Sequence, residues 1–335
     1  MSTSRFDALT RWVADQHGLD ATALTLAPAG GDASFRRYFR LRLPSGETQI
    51  VMDAPPEQED SAPFVAIGRR LRAANLPVPA IYQADLNQGF LLLEDLGDTP
   101  LQTRFIDTAS VHEHTAEALA LVSALQNAVD PSTLPAFDEA LLRRELALFP
   151  EWCLKSWLGL EVPTSLAAFE DELTRLALSQ PVVSVHRDFD AMNLMPHAGR
   201  LYMIDFQDAV AGPITYDVIS LLCGRYWRFD ASDFDALALA FHARARQDGR
   251  LPASVDAAAF LRWCRAMAAQ RSLKVLGIFC RLTLRDAKTG YLERLPHFLD
   301  HLEDSLAGLS NHDDFTRWTR DTLRPAIAAK LEDSP

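Results

Sequence analysis

The chain has no lysine before Lys155, so arginine is the only strong side-chain cation in the segment that precedes it. Its four cysteines, Cys153, Cys223, Cys264 and Cys280, form no C-x-x-C pair. That spread argues against a zinc site or a disulfide framework and for reduced, buried thiols. No run reaches the roughly 18 apolar residues of a membrane span. The opening MSTSRFDALTRWVADQHG carries charges throughout, unlike a secretory signal. The expectation is a cytoplasmic protein that does not enter a membrane. Positive charge is also short: 33 Lys plus Arg against 45 Asp plus Glu give a formal net charge of −12. Such a chain is not expected to bind nucleic acid, although a few local arginines can hold an anionic substrate. Nothing in it signals an obligate protein partner.

What is present reads as a folded chain of 335 residues, 48% hydrophobic and 23% charged, long enough for two lobes. Phe6, Leu9 and Val13 recur at helical spacing, which predicts a helix over 5–17. From Phe35 to Leu43, apolar Phe39 and Leu41 alternate with Arg36, Arg40 and Arg42, the period of a strand. A strand at QIVMD (49–53), a helix at APFVAIGRRLRAAN and two strands joined across Leu86–Gly89 complete a small antiparallel sheet. Helices are expected at 109–127, 138–158 and 164–178 and again from 215 onward. Between them, VVSV and LYMID flank the polar stretch VHRDFDAMNLM and are expected to pair as a hairpin. The fold class is therefore α+β, with a small antiparallel-sheet lobe over 1–96 and a large helical lobe over 97–335.

His186, Asp188 and Asn193 follow H-x-D-x-x-x-x-N, and Asp205 lies twelve residues beyond Asn193 at the end of an apolar segment. Phosphoryl transfer needs these groups: one carboxylate to orient the attacking hydroxyl and take its proton, and an amide and a second carboxylate to hold magnesium on the nucleotide phosphates. Asp188 is the expected base, with Asn193 and Asp205 as metal ligands. Any one of these residues could merely satisfy a turn. The joint spacing between two apolar segments is what gives the functional reading its force.

These residues, with the stretches GGDASFRRYFRL, VMDAPPE, LLLEDLG, LLRRELALFPEWCL and IDFQDAVAGPITYDVISLL, resemble the aminoglycoside phosphotransferase and choline kinase-like superfamily over most of the chain. Within it the sequence is most similar to bacterial anomeric sugar kinases acting on N-acetylmuramate and N-acetylglucosamine. The resemblance implies a two-lobed protein-kinase-like fold, ATP and Mg2+ as cofactors, an amino sugar acceptor and a place in cell-wall recycling. A related kinase for an amino alcohol or aminoglycoside, or a pseudokinase that only binds nucleotide, stands as the alternative.

On the nucleotide side, Gly30, Gly31, Asp32, Ala33 and Ser34 are candidates for a turn closing over the phosphates, or for a plain hairpin turn. The third strand lacks the usual lysine, so Arg37, which shares the apolar parity expected to face the nucleotide, is the favoured phosphate or loop anchor. Glu57 and Glu59 are possible partners, and Glu94, Asp95 and Leu96 are placed at the adenine hinge. On the acceptor side no long activation segment follows Asp205, which points to a small substrate. Asp190, Gln207 and Asp208 flank the catalytic groups and could bond sugar hydroxyls. Arg144, Glu145 and Trp152 fall on roughly one face of the 138–158 helix, where core packing competes with acceptor binding. Arg144 or Arg225 could meet a lactyl carboxylate, and Asp217 is expected to brace a helix start or loop.

Overall fold

The computed structural model describes residues 3–30 and 35–333. The chain forms two compact units, Met1–Thr103 with Met192–Ala209, and Arg104–Ala191 with Val210–Pro335.

The first unit opens with helix α1 (Thr3–His17) and strands β1 (Leu26–Pro28), β2 (Arg37–Arg42) and β3 (Thr48–Asp53). Helix α2 (Ala62–Ala73) follows, then β4 (Ile81–Asp85) and β5 (Phe90–Glu94). The strands form one antiparallel sheet in the order β1-β2-β3-β5-β4. Leu9 and Val13 of α1 pack with Leu41, Val51, Phe90 and Leu92 of the sheet. The apolar parity of β2 therefore faces α1, with the Phe6 and Phe39 rings 5.4 Å apart, and not the nucleotide as its alternation had suggested. Alternation shows that a strand has two unlike faces. It does not say which neighbour covers the apolar one.

The second unit begins with α3 (Thr108–Ala128), capped by the Asp107 carboxylate, which accepts from the Ser110 N–H at 2.8 Å. Helix α4 (Glu139–Leu146) then gives way to a π-helical stretch, Phe149–Leu158. The helix expected over 138–158 is thus present, but it widens from α to π winding at Pro150, which lacks the N–H for its own α-ladder bond. Arg144, Glu145, Leu148 and Trp152 accordingly do not share one continuous helix face. After α5 (Ser165–Leu178) comes β6 (Val182–Val185).

The chain then returns to the first unit as a hairpin of β7 (Leu194–His197) and β8 (Arg200–Met203). Ala198 and Gly199, at φ 48 and 75°, form the two-residue turn that such hairpins favour. The Met203 N–H bonds the Pro77 carbonyl at 2.8 Å, tying the hairpin to the chain entering β4. β6 pairs instead with β9 (Val210–Pro213) in the second unit. The expected pairing of VVSV with LYMID is thus replaced by two separate ribbons. A two-residue turn at 198–199 closes a shorter loop than that hairpin would have needed. The chain ends in α6 (Tyr216–Leu222), α7 (Ala231–Gln247), α8 (Ala257–Leu284), α9 (Leu295–Ala307), α10 (Asp313–Trp318) and α11 (Arg324–Glu332). Phe149, Trp157, Phe169, Leu276, Phe279 and Phe298 form the centre of this helical core.

Candidate active site

In the second unit, β6 ends at Val185 and the polar loop begins. The Asp217 carboxylate, fully buried in the first turn of α6, accepts from the backbone N–H groups of His186 at 2.7 Å and Arg187 at 3.0 Å. Arg187 sits at φ 77°, unusual for a residue with a side chain, and this two-point brace holds it there. Burial pushes the Asp217 carboxyl above its ordinary range, against the pull of His186 and the two N–H bonds. His186 is itself buried, its ring meeting Phe189 edge-on at 5.7 Å.

The Arg187 guanidinium donates to Glu145 at 2.8 Å, and the Glu145 carboxylate, 4% exposed, is held on every side. Lys274 lies 2.9 Å from one oxygen, while Gln270 and the Tyr216 hydroxyl donate to the other at 3.1 and 3.4 Å. Burial raises the Glu145 pKa, but the Lys274 and Arg187 cations outweigh it and keep the group below the ordinary carboxylate range. The Lys274 ammonium also donates to the Tyr216 hydroxyl at 2.8 Å. Glu145 therefore acts here on Arg187, next to the expected base, through an ion pair that water barely reaches.

Asp188 is half-buried, and its carbonyl accepts from the Asp190 N–H at 2.9 Å, which tightens the loop. The fully buried Asp190 carboxylate lies 3.6 Å from the Arg225 guanidinium and 3.7 Å from that of Arg271.

In the first unit, Asn193 precedes β7 and Asp205 follows β8. The Ile204 N–H donates to the Asn193 carbonyl at 2.9 Å, so the two residues stand at the same end of the hairpin. Asp205 has φ 64°, and Gln207 donates to its carboxylate at 2.7 Å. An amide and a partly exposed carboxylate offer the oxygen donors magnesium prefers, and that ion needs few of them because it keeps waters and takes phosphate oxygens. The residues fit the ion.

Arg36 reaches this end of the hairpin. It is 2.6 Å from Glu59 and 3.9 Å from Asp205, with its guanidinium over the Phe64 ring at 6.0 Å. Phe64 in turn stacks on Phe206 at 4.9 Å. Arg37, favoured for the phosphate role, is instead ion-paired with the buried Asp53, which Arg5 of α1 also contacts at 2.6 Å. The reason is local: Arg37 is the first residue of regular β2 and takes the α1-facing parity, whereas Arg36 lies before the strand and is not bound by that alternation.

Of the remaining candidates, Gly30 has the left-handed φ of 68° that suits a turn after β1. Gly31, Asp32, Ala33 and Ser34 lie outside the described residues. Glu94 accepts from the Ala80 N–H at 2.9 Å, Leu96 is buried, and Asp95 takes a two-point bond from Arg40. Arg144 and Asp208 are exposed, and Trp152 packs on the helical core. Sequence reading passed over Arg36 in favour of its neighbour and missed Arg271 and Lys274. The last two carried a signal: Gln270, Arg271, Ser272 and Lys274 interrupt the otherwise apolar AMAA…VLGIFC run of α8, and polar groups in a buried helix require partners.

Comparison with known proteins adds to this geometry. A family model described as the phosphotransferase enzyme family matches residues 25–257. The chain is 42% identical over 290 residues to the N-acetylmuramate/N-acetylglucosamine kinase of Pseudomonas aeruginosa, covering 84% of each chain. It is 38% identical over 289 residues to the Pseudomonas putida protein of the same name, covering 85% of this chain and 84% of that one. Among solved structures, a thermostable mutant of an aminoglycoside phosphotransferase, in ternary complex with ADP and hygromycin B, superimposes with a TM-score of 0.59 at 16% identity, covering 90% of this chain and 99% of that chain.

Proposed function

The chain belongs to the phosphotransferase enzyme family, and on that premise we propose that it transfers the γ-phosphoryl group of ATP to the anomeric hydroxyl of N-acetylmuramate or N-acetylglucosamine. The sugar rests on the 42% identity to a kinase of that name, and the reaction class rests on the residues. The product is the sugar 1-phosphate, as cell-wall recycling would use it, and the four buried free thiols suit a reducing cytoplasm.

Asp188 accepts the proton of the attacking hydroxyl and orients its lone pair. Asp217 holds the loop that presents Asp188, by fixing the backbone at His186 and Arg187. The Glu145–Lys274 pair holds the Arg187 side chain, keeping a cation beside the base. Asn193 and Asp205 would hold magnesium, which neutralises developing charge on the transferred phosphoryl group. Gln207 steers the Asp205 carboxylate. Arg36, paired with Glu59, supplies the phosphate-binding cation that a strand lysine provides in other kinases.

The test is magnesium-dependent ATP consumption by the wild type and Asp188→Asn across both sugars, choline, ethanolamine and an aminoglycoside. Turnover with the amino sugars that falls at least about a hundredfold in the variant supports the assignment. Turnover confined to the amino alcohols or the aminoglycoside overturns the acceptor, and near-wild-type Asp188→Asn activity overturns the base.

A further inference from the structure

Beside the catalytic loop, two arginines share one carboxylate. Asp190, two residues beyond Asp188 and fully buried, faces Arg225 at 3.6 Å and Arg271 at 3.7 Å. Both separations exceed hydrogen-bond length. Arg271 projects from the middle of α8 and is 4% exposed, and its Nε is buried without a hydrogen-bond partner. A buried guanidinium N–H in that state calls for a water or a ligand. Arg225 is different in one respect: its side chain is 22% exposed, so solutes can reach it. It follows α6 and lies over the Phe279 ring at 5.8 Å, which fixes the plane of the fork. Gly224 suits this turn, since a Cβ there would crowd the Leu221 and Ser220 carbonyls at 3.2 and 3.3 Å, while the Asp190 carboxylate would lie in ordinary contact at 3.5 Å. The His297 ring bonds the Gly224 carbonyl at 2.8 Å and secures the same turn.

A chain with net charge −12 thus places two arginines on one residue of its catalytic loop. We infer that Arg225, backed by Arg271 and facing Asp190, is an acceptor-carboxylate site that makes the enzyme favour an acidic amino sugar over its neutral counterpart. The inference rests on the amino sugar kinase reading above. N-acetylmuramate carries a lactyl carboxylate that N-acetylglucosamine lacks, and a planar arginine fork binds that group through two parallel bonds. Asp190 offsets one of the two guanidinium charges, which leaves the pair one net positive charge for a second anion.

Selectivity is the readout. Calorimetric binding and steady-state kinetics with both sugars, in the wild type, Arg225→Met and Arg225→Lys, separate the possibilities. The expected result is that Arg225→Met lowers the N-acetylmuramate to N-acetylglucosamine ratio of kcat/KM by about tenfold or more, through KM, with an intermediate value for Arg225→Lys. Thermal melts of each variant, and turnover of the neutral sugar, report folding independently. Equal loss for both sugars, or an unchanged ratio, overturns the carboxylate site and leaves the kinase reading standing. Failure of the wild type to bind or turn over either sugar overturns both.

Discussion

Replacing Glu145 with Gln removes a charge and almost no volume, so it isolates the electrostatics beneath the catalytic loop. Glu145 is 4% exposed, with Lys274 at 2.9 Å and Arg187 at 2.8 Å. Taking one partner from a buried ion pair costs about 3–5 kcal/mol, because the other charge is left without compensation. Arg187, 24% exposed, can turn partly toward water, whereas Lys274, 12% exposed, keeps little beyond the Tyr216 hydroxyl. That places Glu145→Gln near the lower end, about 3 kcal/mol. The assay is urea unfolding of the wild type, Glu145→Gln, Lys274→Met and the double variant. The double should be more stable than the sum of the singles by at least about 1.5 kcal/mol, since it removes both buried charges together. The pH dependence has a defined sign. The folded pKa of Glu145 lies below its ordinary value, so its contribution is complete above the ordinary carboxylate range and is lost as pH falls through the folded value. Burial lowers the Lys274 pKa, but Glu145 and Tyr216 raise it further, so its contribution is complete below the ordinary ammonium value and is lost as pH rises through the folded one. The stability gap between wild type and Glu145→Gln should therefore be flat through neutral pH and narrow at both extremes. A single-variant cost under about 1 kcal/mol, or an additive double, would refute the reasoning.

Two further substitutions address the first unit. Arg36→Ala should raise the KM for ATP about tenfold with little change in the KM for the sugar, the loss of one charge-assisted contact. Arg37→Ala should instead destabilise by about 1–2 kcal/mol, with its Asp53 partner fully buried, and move the KM for ATP less than about twofold; the reverse pattern would return the phosphate role to Arg37. In Gly68→Ala the new Cβ would stand 3.0 Å from Ile81 and from the Phe206 ring beside Asp205. Overpacking there should cost about 1–3 kcal/mol and raise the magnesium concentration needed for half-maximal rate, measured by titration at fixed ATP.

Much of this was legible in the residues. The first helix, the four strands from Arg37 to Glu94 and the helical remainder followed from spacing that changes from 3.6 to 2 and back, whereas the short β1 carried no such signal. The catalytic stretch was legible because one short loop holds several chemically distinct groups. Pairing was not: VVSV met VAGP and not LYMID, because apolar runs show that strands exist without naming their partners. Arg36 was hidden by a sound parity rule applied one residue beyond the regular strand. Lys274 and Arg271 are separated in sequence from the loop they serve, and only the packing of α8 brings them to Glu145 and Asp190. The change from α to π winding at Pro150 follows from the proline's missing N–H, and with it goes the single regular face shared by Arg144 and Trp152.

The most direct measurement is NMR of the product made from N-acetylmuramate, ATP and magnesium. Attack by the anomeric hydroxyl, with Asp188 as base, predicts a phosphate phosphorus coupled to the anomeric proton and one ADP released per sugar 1-phosphate. A phosphate coupled to any other sugar position, or ATP hydrolysis without a phosphorylated sugar, would contradict it.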